Sequence, residues 1–330
     1  MTFHLHRAAR ADLLADGLAA LLATPPDDPF TEELVLVPAR GVERWLSQRL
    51  AHTLGAGTGS GSGDGVCAGV VFASPGSLLT EITGAGIEDP WSPDAMAWPL
   101  LAVLDASLDE PWCATPARHL GHFHTGDEAE IRRGRRYAVA RRLAGLFSSY
   151  ARQRPQLLID WLDESTGELD GDLSWQPPLW RALAAAQKAR ADVDPPHIRH
   201  RRALTRLRET PVGTLPARLS LFGHNRLAAT DIELLDALAT HHELHLWLPH
   251  ASDDLWQALR GLHGPVPRSA DAGRHAAHHP LLQTLGRDLR ELQRALPDDI
   301  QADEYLSSTT DPDTLLGWLR SDIAANAVRP

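Results

Sequence analysis

From Arg132 to Arg154 the chain carries eight arginines (132, 133, 135, 136, 141, 142, 152 and 154) and no acidic residue. Arg199, Arg201, Arg202, Arg206 and Arg208, flanked by Arg190, form a second cationic run with no acid before Glu209. Guanidinium groups pair with phosphate oxygens through planar, charge-assisted hydrogen bonds, so such runs are the chemistry of a nucleic-acid track. Tyr137, Phe147 and Tyr150 lie among the first run and Trp161 just beyond it, and unstacked bases lie on rings of this kind. A plainer origin is also open: the chain has a single lysine, Lys188, so arginine is its ordinary surface cation, and rings at helical spacing serve equally well as core.

The remaining reactive residues form no strong motif. Seventeen histidines include His119, His122 and His124, then His241, His242 and His245, then His275, His278 and His279. The nearest to a ligand pattern, His241/His242/Glu243/His245, falls at a helix-to-strand junction, whereas a zinc-protease helix needs two histidines one helical turn apart with a glutamate beside the first. The local carboxylate groups Asp160/Asp163/Glu164, Asp170/Asp172 and Asp298/Asp299 read as solvated acidic faces. Gly59-Ser60-Gly61-Ser62-Gly63 spells a nucleophile elbow only inside the Gly55–Gly65 run, whose composition is that of a flexible surface loop and which has no lysine for a phosphate. A Walker A loop needs glycines that free backbone N–H groups, a lysine, and a Ser/Thr for Mg²⁺. After the apolar run 34–37 the turn is Pro38-Ala39-Arg40-Gly41, with no Gly-Lys-Ser/Thr after it, and the run 244–248 ends in Pro249-His250 without a metal-holding Asp-Glu pair. ATP hydrolysis by this chain is not expected, and no catalytic or metal residue is assigned.

These residues must be positioned by a framework, and hydrophobic periodicity supplies it. Residues 3–8, 34–37, 66–72, 215–222 and 244–248 read as strands, the continuous apolar ones suiting a parallel sheet buried on both faces. Helices are expected over 9–23, 42–54 with Trp45, Leu46 and Leu50 inward, 74–82, 230–239, 281–296 and 311–325, the last opened by Asp311 or Asp313 with Pro312 in its first turn. Between Pro90 and Arg208 apolar residues recur only at helical spacing, beginning with 98, 101, 104 and 108. With 43% hydrophobic and 23% charged residues the 330-residue chain is globular, and its formal charge of −11 argues against attraction of nucleic acid over the whole surface. The two cysteines make no disulfide framework, no run of 18 uncharged apolar residues exists, and the start lacks a secretory signal. A cytoplasmic protein is therefore expected, and the absence of a closing element before Pro330 suggests a piece of something longer.

Several blocks together carry a family likeness: Asp27-Asp28-Pro29-Phe30 before Leu34–Val37 and Gly41–Leu46; Leu146–Tyr150 with Arg154-Pro155; Trp175–Trp180; Leu215–Gly223; and His279–Leu282 with Gly286-Arg287-Asp288. In this order they resemble the amino-terminal region of RecC, the gamma subunit of exodeoxyribonuclease V (RecBCD), over nearly the whole chain.

The resemblance implies an α/β, superfamily-1 helicase-like parallel-sheet domain lacking a Walker A loop, with a large all-helical insertion. The expected division is 1–90 plus 210–260 for the helicase-like part, 91–209 for the insertion, and 261–330 for a loop and helices that open a further region. It also implies a non-catalytic subunit that holds RecB-like and RecD-like partners, splits duplex DNA, guides a single strand and takes part in sensing Chi, in double-strand break repair by homologous recombination. ATP and Mg²⁺ then belong to the partner subunits; no cofactor is expected in this chain, and no membrane. The family's tunnel positions fall near Pro38, Arg40, Arg44, Ser74, Thr80, Gly145, Leu146, Ser148, Ser149, Arg154 and Arg201, of which Leu146, Arg154 and Arg201 keep the family type. Arg40, Arg44, Arg141, Arg142, Leu146, Arg152, Arg154 and Arg201 are the expected DNA-binding residues. A scaffold that docks the helicase-nuclease subunits without touching DNA is the competing expectation.

Overall fold

The computed structural model describes residues 2–24, 26, 28, 30–54, 66–86, 88–163, 171–191, 193–264, 266, 270–298, 300–307 and 313–328. The Gly55–Gly65 run, Glu164, Asp170, Asp299, Asp311 and Pro312 lie outside them. The chain divides into two compact units, one of Met1–Leu79, Arg206–Leu227 and Asp231–Pro330, the other of Thr80–Thr205 with Ala228–Thr230.

The first unit opens with β1 (Thr2–Ala8), α1 (Ala11–Leu22), β2 (Glu33–Leu36), α2 (Arg40–Leu54), β3 (Val70–Ala73) and α3 (Pro75–Thr83), the last running on past the boundary. The second unit is built from α4 (Pro93–Ala106), α5 (Ala114–His119), α6 (Asp127–Arg133), α7 (Arg136–Gln153), α8 (Pro155–Leu162), α9 (Gln176–Arg190) and most of α10 (Pro196–Glu209). The chain returns to the first unit with β4 (Arg218–Phe222), α11 (Ala229–Leu238), β5 (Glu243–Pro249), α12 (Asp253–Ala258), α13 (Gly273–Ala276), α14 (Pro280–Leu285), α15 (Arg287–Ala295), β6 (Ala302–Tyr305) and α16 (Leu315–Ala324).

The strands form one six-stranded sheet in the order β3-β2-β4-β5-β1-β6, and every pairing is parallel. Parallel neighbours cannot be joined by tight hairpins, so each connection carries helices that cover the sheet, and the inner strands β4 and β5 are buried along most of their length. Leu244 to Leu248 are all buried on β5. On one face Leu14, Leu18, Leu46 and Leu50 close over Val35, Phe222 and Trp247, each fully buried side chain contributing about 1.5–3 kcal/mol. Gly17 is where α1 crosses Trp247: a Cβ there would stand 2.7 Å from the indole ring.

Some sequence expectations shift. The strand β6, Ala-Asp-Glu-Tyr, has no apolar run to announce it; it is an edge strand held to β1 by backbone pairing and by the Arg7–Asp303 bond of 2.6 Å. The helix expected over 281–296 is broken at Gly286, where φ −82° and ψ 8° leave the helical path and a Cβ would meet the Leu282 carbonyl oxygen at 2.5 Å. That carbonyl accepts both from the Gly286 N–H at 3.2 Å and from Arg290 Nη1 at 2.6 Å. The last helix is capped by Thr314, whose Oγ1 accepts from the Gly317 N–H at 3.0 Å. Trp45 is 38% exposed rather than inward, while Leu46 and Leu50 are buried. On α4 the buried residues are Met96, Ala97, Pro99, Leu100 and Leu104; of the expected stripe Leu104 and Leu108 are buried and Leu101 packs partly against the core, while Trp98 is 63% exposed.

Candidate nucleic-acid interface

In the helical unit the core decides which arginines face out. Ala140, Leu143, Ala144, Phe147 and Ala151 are buried on α7, a stripe at three- and four-residue intervals. Phe147 packs on Trp180 at 5.3 Å and edge-on to Trp161 at 6.5 Å between ring centroids. With that face fixed, helical geometry sends Arg141, Arg142, Gly145, Ser149 and Arg152 to the exposed side, where all five are found. Eleven residues at about 1.5 Å each separate Arg141 from Arg152 by about 16 Å along the helix. Nothing lies within 4 Å of a Cβ built on Gly145, so the strip between the cations is open.

The rings divide. Phe147 and Trp161 are core residues. Tyr150 is half-buried, donates its hydroxyl to Gln176 Oε1 at 3.2 Å, and burial pushes its phenol up from the usual range. Tyr137 is exposed and packs on Trp98 with centroids 5.0 Å apart. This exposed aromatic pair was not found from the sequence, and the Met96-Leu100-Leu104 spacing of α4 is the signal that leaves Trp98 outside.

Ion pairs thin the cationic runs. Arg132 holds Glu128 at 2.7 Å, Arg136 holds Asp105 at 2.7 Å, and Arg202 pairs with Asp194. Arg199 is largely buried against Asp89 at 2.7 Å, a pairing across 110 residues that no local spacing predicts. Of the expected contact residues, Arg141 stays well exposed, with Asp94 3.6 Å away and itself in solvent. Arg142, Arg152 and Arg154 are exposed as well. Arg154 caps α7, its N–H bonding the Tyr150 carbonyl at 2.8 Å. Leu146 packs partly against the helical core. Arg201 is exposed on α10 and, with Trp91, Arg181, Lys188 and His197, lines a cavity of about 620 Å³. Burial, and secondarily the Arg201 charge, push the His197 imidazole below its ordinary value.

In the sheet unit Arg40 opens α2 and Arg44 follows one turn on, both exposed. Arg40 flanks a pocket of about 610 Å³ at the carboxyl ends of β2 and β3, lined also by Pro38, Ala39, Glu43 and Ser74. The carboxyl edge of a parallel sheet is where α/β proteins bind ligands, and the first turn of α2 adds the positive end of its dipole. Glu43 opposes that field. These residues can hold a polyanion by charge.

A family model described as RecC, N-terminal domain matches residues 3–326. The chain belongs to the RecC family. It is 67% identical over 334 residues to the RecBCD enzyme subunit RecC of Mycobacterium tuberculosis (strain ATCC 25618 / H37Rv), covering all of this chain and 30% of that protein. The RecC subunit of Mycolicibacterium smegmatis is 63% identical over 330 residues, with 28% of its length covered, and that of Escherichia coli (strain K12) is 25% identical over 342 residues, 90% of this chain and 28% of the relative. The RecC-family chain thus spans about 30% of the curated relatives it matches. Among the described residues, no helix is long and apolar enough to cross a membrane.

Proposed function

We propose that this chain is the amino-terminal part of a catalytically silent, DNA-guiding subunit of a RecBCD-type helicase-nuclease, acting in the cytoplasm in double-strand break repair. The observation that carries the reading is the open strip of α7: Arg141, Arg142 and Arg152 on its exposed face with only small residues between them, in a chain of the RecC family. Phosphates pair with the guanidiniums without sequence preference, so the strip guides a strand rather than reading it. Arg154 and Arg201, with Leu146, are further proposed contacts in the helical unit, Arg40 and Arg44 are proposed contacts in the sheet unit, and Chi sensing by the assembled enzyme is part of the proposal.

The parallel sheet supports a superfamily-1 helicase-like framework that has lost its phosphate loop. Both candidate strand-to-helix turns, Ala8-Ala9-Arg10-Ala11-Asp12 after β1 and Pro38-Ala39-Arg40-Gly41 after β2, lack the Gly-Lys-Ser/Thr sequence that holds nucleotide phosphates and Mg²⁺. RecB-like and RecD-like partners then supply ATP and Mg²⁺ chemistry.

The test is site-specific photocrosslinking in the assembled complex. A photoreactive residue at position 142 or 154 should label single-stranded DNA, and one at Arg10 or Arg320 should serve as a low background. Labelling of DNA from neither 142 nor 154 while the partners are labelled would favour the scaffold reading, to which the exposed Leu315, Leu316 and Leu319 of α16 lend support.

A further inference from the structure

On β1 and β5, four rings stack in a row. Trp247 lies 3.9 Å from His6, His6 lies 5.3 Å from His245 and His245 lies 4.7 Å from His4, all within 13° of parallel between successive rings. The register explains why: His4 pairs with His245 and His6 with Trp247, so these side chains share one face, and Glu243 joins it two residues before His245. His245 Nε2 reaches Glu243 Oε1 at 3.1 Å, and the same oxygen is 3.7 Å from His4 Nε2. One atom from each of His4, Glu243 and His245 lies within 4.8 Å of the others. Three corners of a tetrahedral site with bonds of about 2.0–2.1 Å stand about 3.3 Å apart, which two of these separations bracket.

We infer that His4, Glu243 and His245 bind one divalent transition-metal ion of the zinc class, with a fourth position open to solvent on the half-exposed Glu243 side. Two imidazoles and a carboxylate are a common zinc ligand set. The outer groups fit too. His245 Nδ1 lies 3.0 Å from His6 Nε2, and His6 Nδ1 lies 3.3 Å from Glu304 Oε2. The links Glu243–His245, His245–His6 and His6–Glu304 need three hydrogens, whereas two neutral imidazoles hold two. A metal at the first link completes the row: His245 then ligates through Nε2 and donates Nδ1–H to His6, which donates Nδ1–H to Glu304, the carboxylate-backed arrangement that orients metal-bound histidines. Ligation requires the His4 ring to swing out of its stack on His245, which its partial exposure permits. The ion would clamp β1 to β5 near their amino ends, within the same unit as the β2–β3 pocket but at the other end of the strands.

The probes are Co²⁺ and Zn²⁺ added to the EDTA-stripped full-length subunit. The wild type should take up one equivalent of Co²⁺ with a visible d–d band that Zn²⁺ abolishes. His4→Gln and Glu243→Gln, both at partly exposed positions, should each weaken binding at least tenfold with an unchanged far-UV spectrum, and the outer variant His6→Gln by about tenfold. No uptake by the wild type overturns the site. So does uptake that both ligand variants leave intact, which would be adventitious binding elsewhere.

Discussion

Replacing Arg7 by Met should loosen the β6 edge of the sheet. The Arg7 side chain is 2% exposed; its Nε donates to Asp303 Oδ1 at 2.6 Å, its Nη1 donates to Asp253 Oδ1 at 2.7 Å, and its guanidinium carbon sits 4.4 Å from the centre of the Trp256 ring. Removing one partner of a buried pair costs about 3–5 kcal/mol, because the other charge stays behind. Asp253 is 37% exposed and partly rehydrates, whereas Asp303 is 18% exposed and keeps only the Trp256 indole N–H at 2.9 Å and a distant Arg260. The low end, about 3 kcal/mol, is therefore expected. Because β6 hangs on β1 alone, the loss falls on local opening, and the Gln301 N–H to Phe3 and Leu306 N–H to Arg7 carbonyl bonds report it. In hydrogen exchange, amides of 301–306 should lose about a hundredfold of protection, since each 1.4 kcal/mol is tenfold. Arg7→Lys, which keeps the charge and loses the planar fork, should lose about tenfold. Protection within threefold of wild type in Arg7→Met would refute the view that this cluster adds to backbone pairing in holding the edge.

Acid should weaken the same unit through His250. Burial, and next the Arg7 charge, push its pKa down to about 4; the unfolded chain protonates it near 6.5, so stability is complete above pH 6.5 and is lost as pH falls towards 4. That difference corresponds to about 3 kcal/mol, and urea titrations at pH 7 and pH 4.5 should show a loss that His250→Gln reduces without abolishing, because burial also pushes the His224 and His245 imidazoles down. In the helical unit, Gly121→Ala should cost about 2 kcal/mol, because φ is +77° and the new Cβ would meet Arg132 Cβ at 2.7 Å. Gly84→Ala, at φ +67° with nothing within 4 Å, should cost about half as much, and thermal scans of the two variants separate strain from clash.

Much of the framework was legible because central parallel strands are rich in large apolar residues: Leu34 to Leu36, and Leu244 to Leu248 with His245 the one polar residue among them, announce β2 and β5 by composition. The outward arginines of α7 were legible because Ala140, Leu143, Phe147 and Ala151 fix the opposite face. The edge strand β6 was not, since its stability comes from Arg7 and His6 reaching Asp303 and Glu304 across nearly the whole chain. Arg199 looked free in sequence and is committed to Asp89. Of the His4, Glu243 and His245 cluster, Glu243 and His245 stood in the histidine run 241–245, but the approach of His4 was hidden for the same reason: motif spacing tests neighbours, and His4 meets His245 only through the pairing of β1 with β5. Long-range polar pairs leave no periodic trace, whereas burial does.

The most direct test of the account is the salt dependence of single-stranded DNA binding by the assembled complex carrying Arg141→Ala, Arg142→Ala and Arg152→Ala together. Three lost phosphate contacts at about 0.7 each should reduce the slope of log affinity against log salt by about 2, with weaker binding at low salt and equal effects on unrelated sequences. A slope and an affinity unchanged from the wild-type complex would contradict it, and would leave α7 as a solvated face in a scaffold.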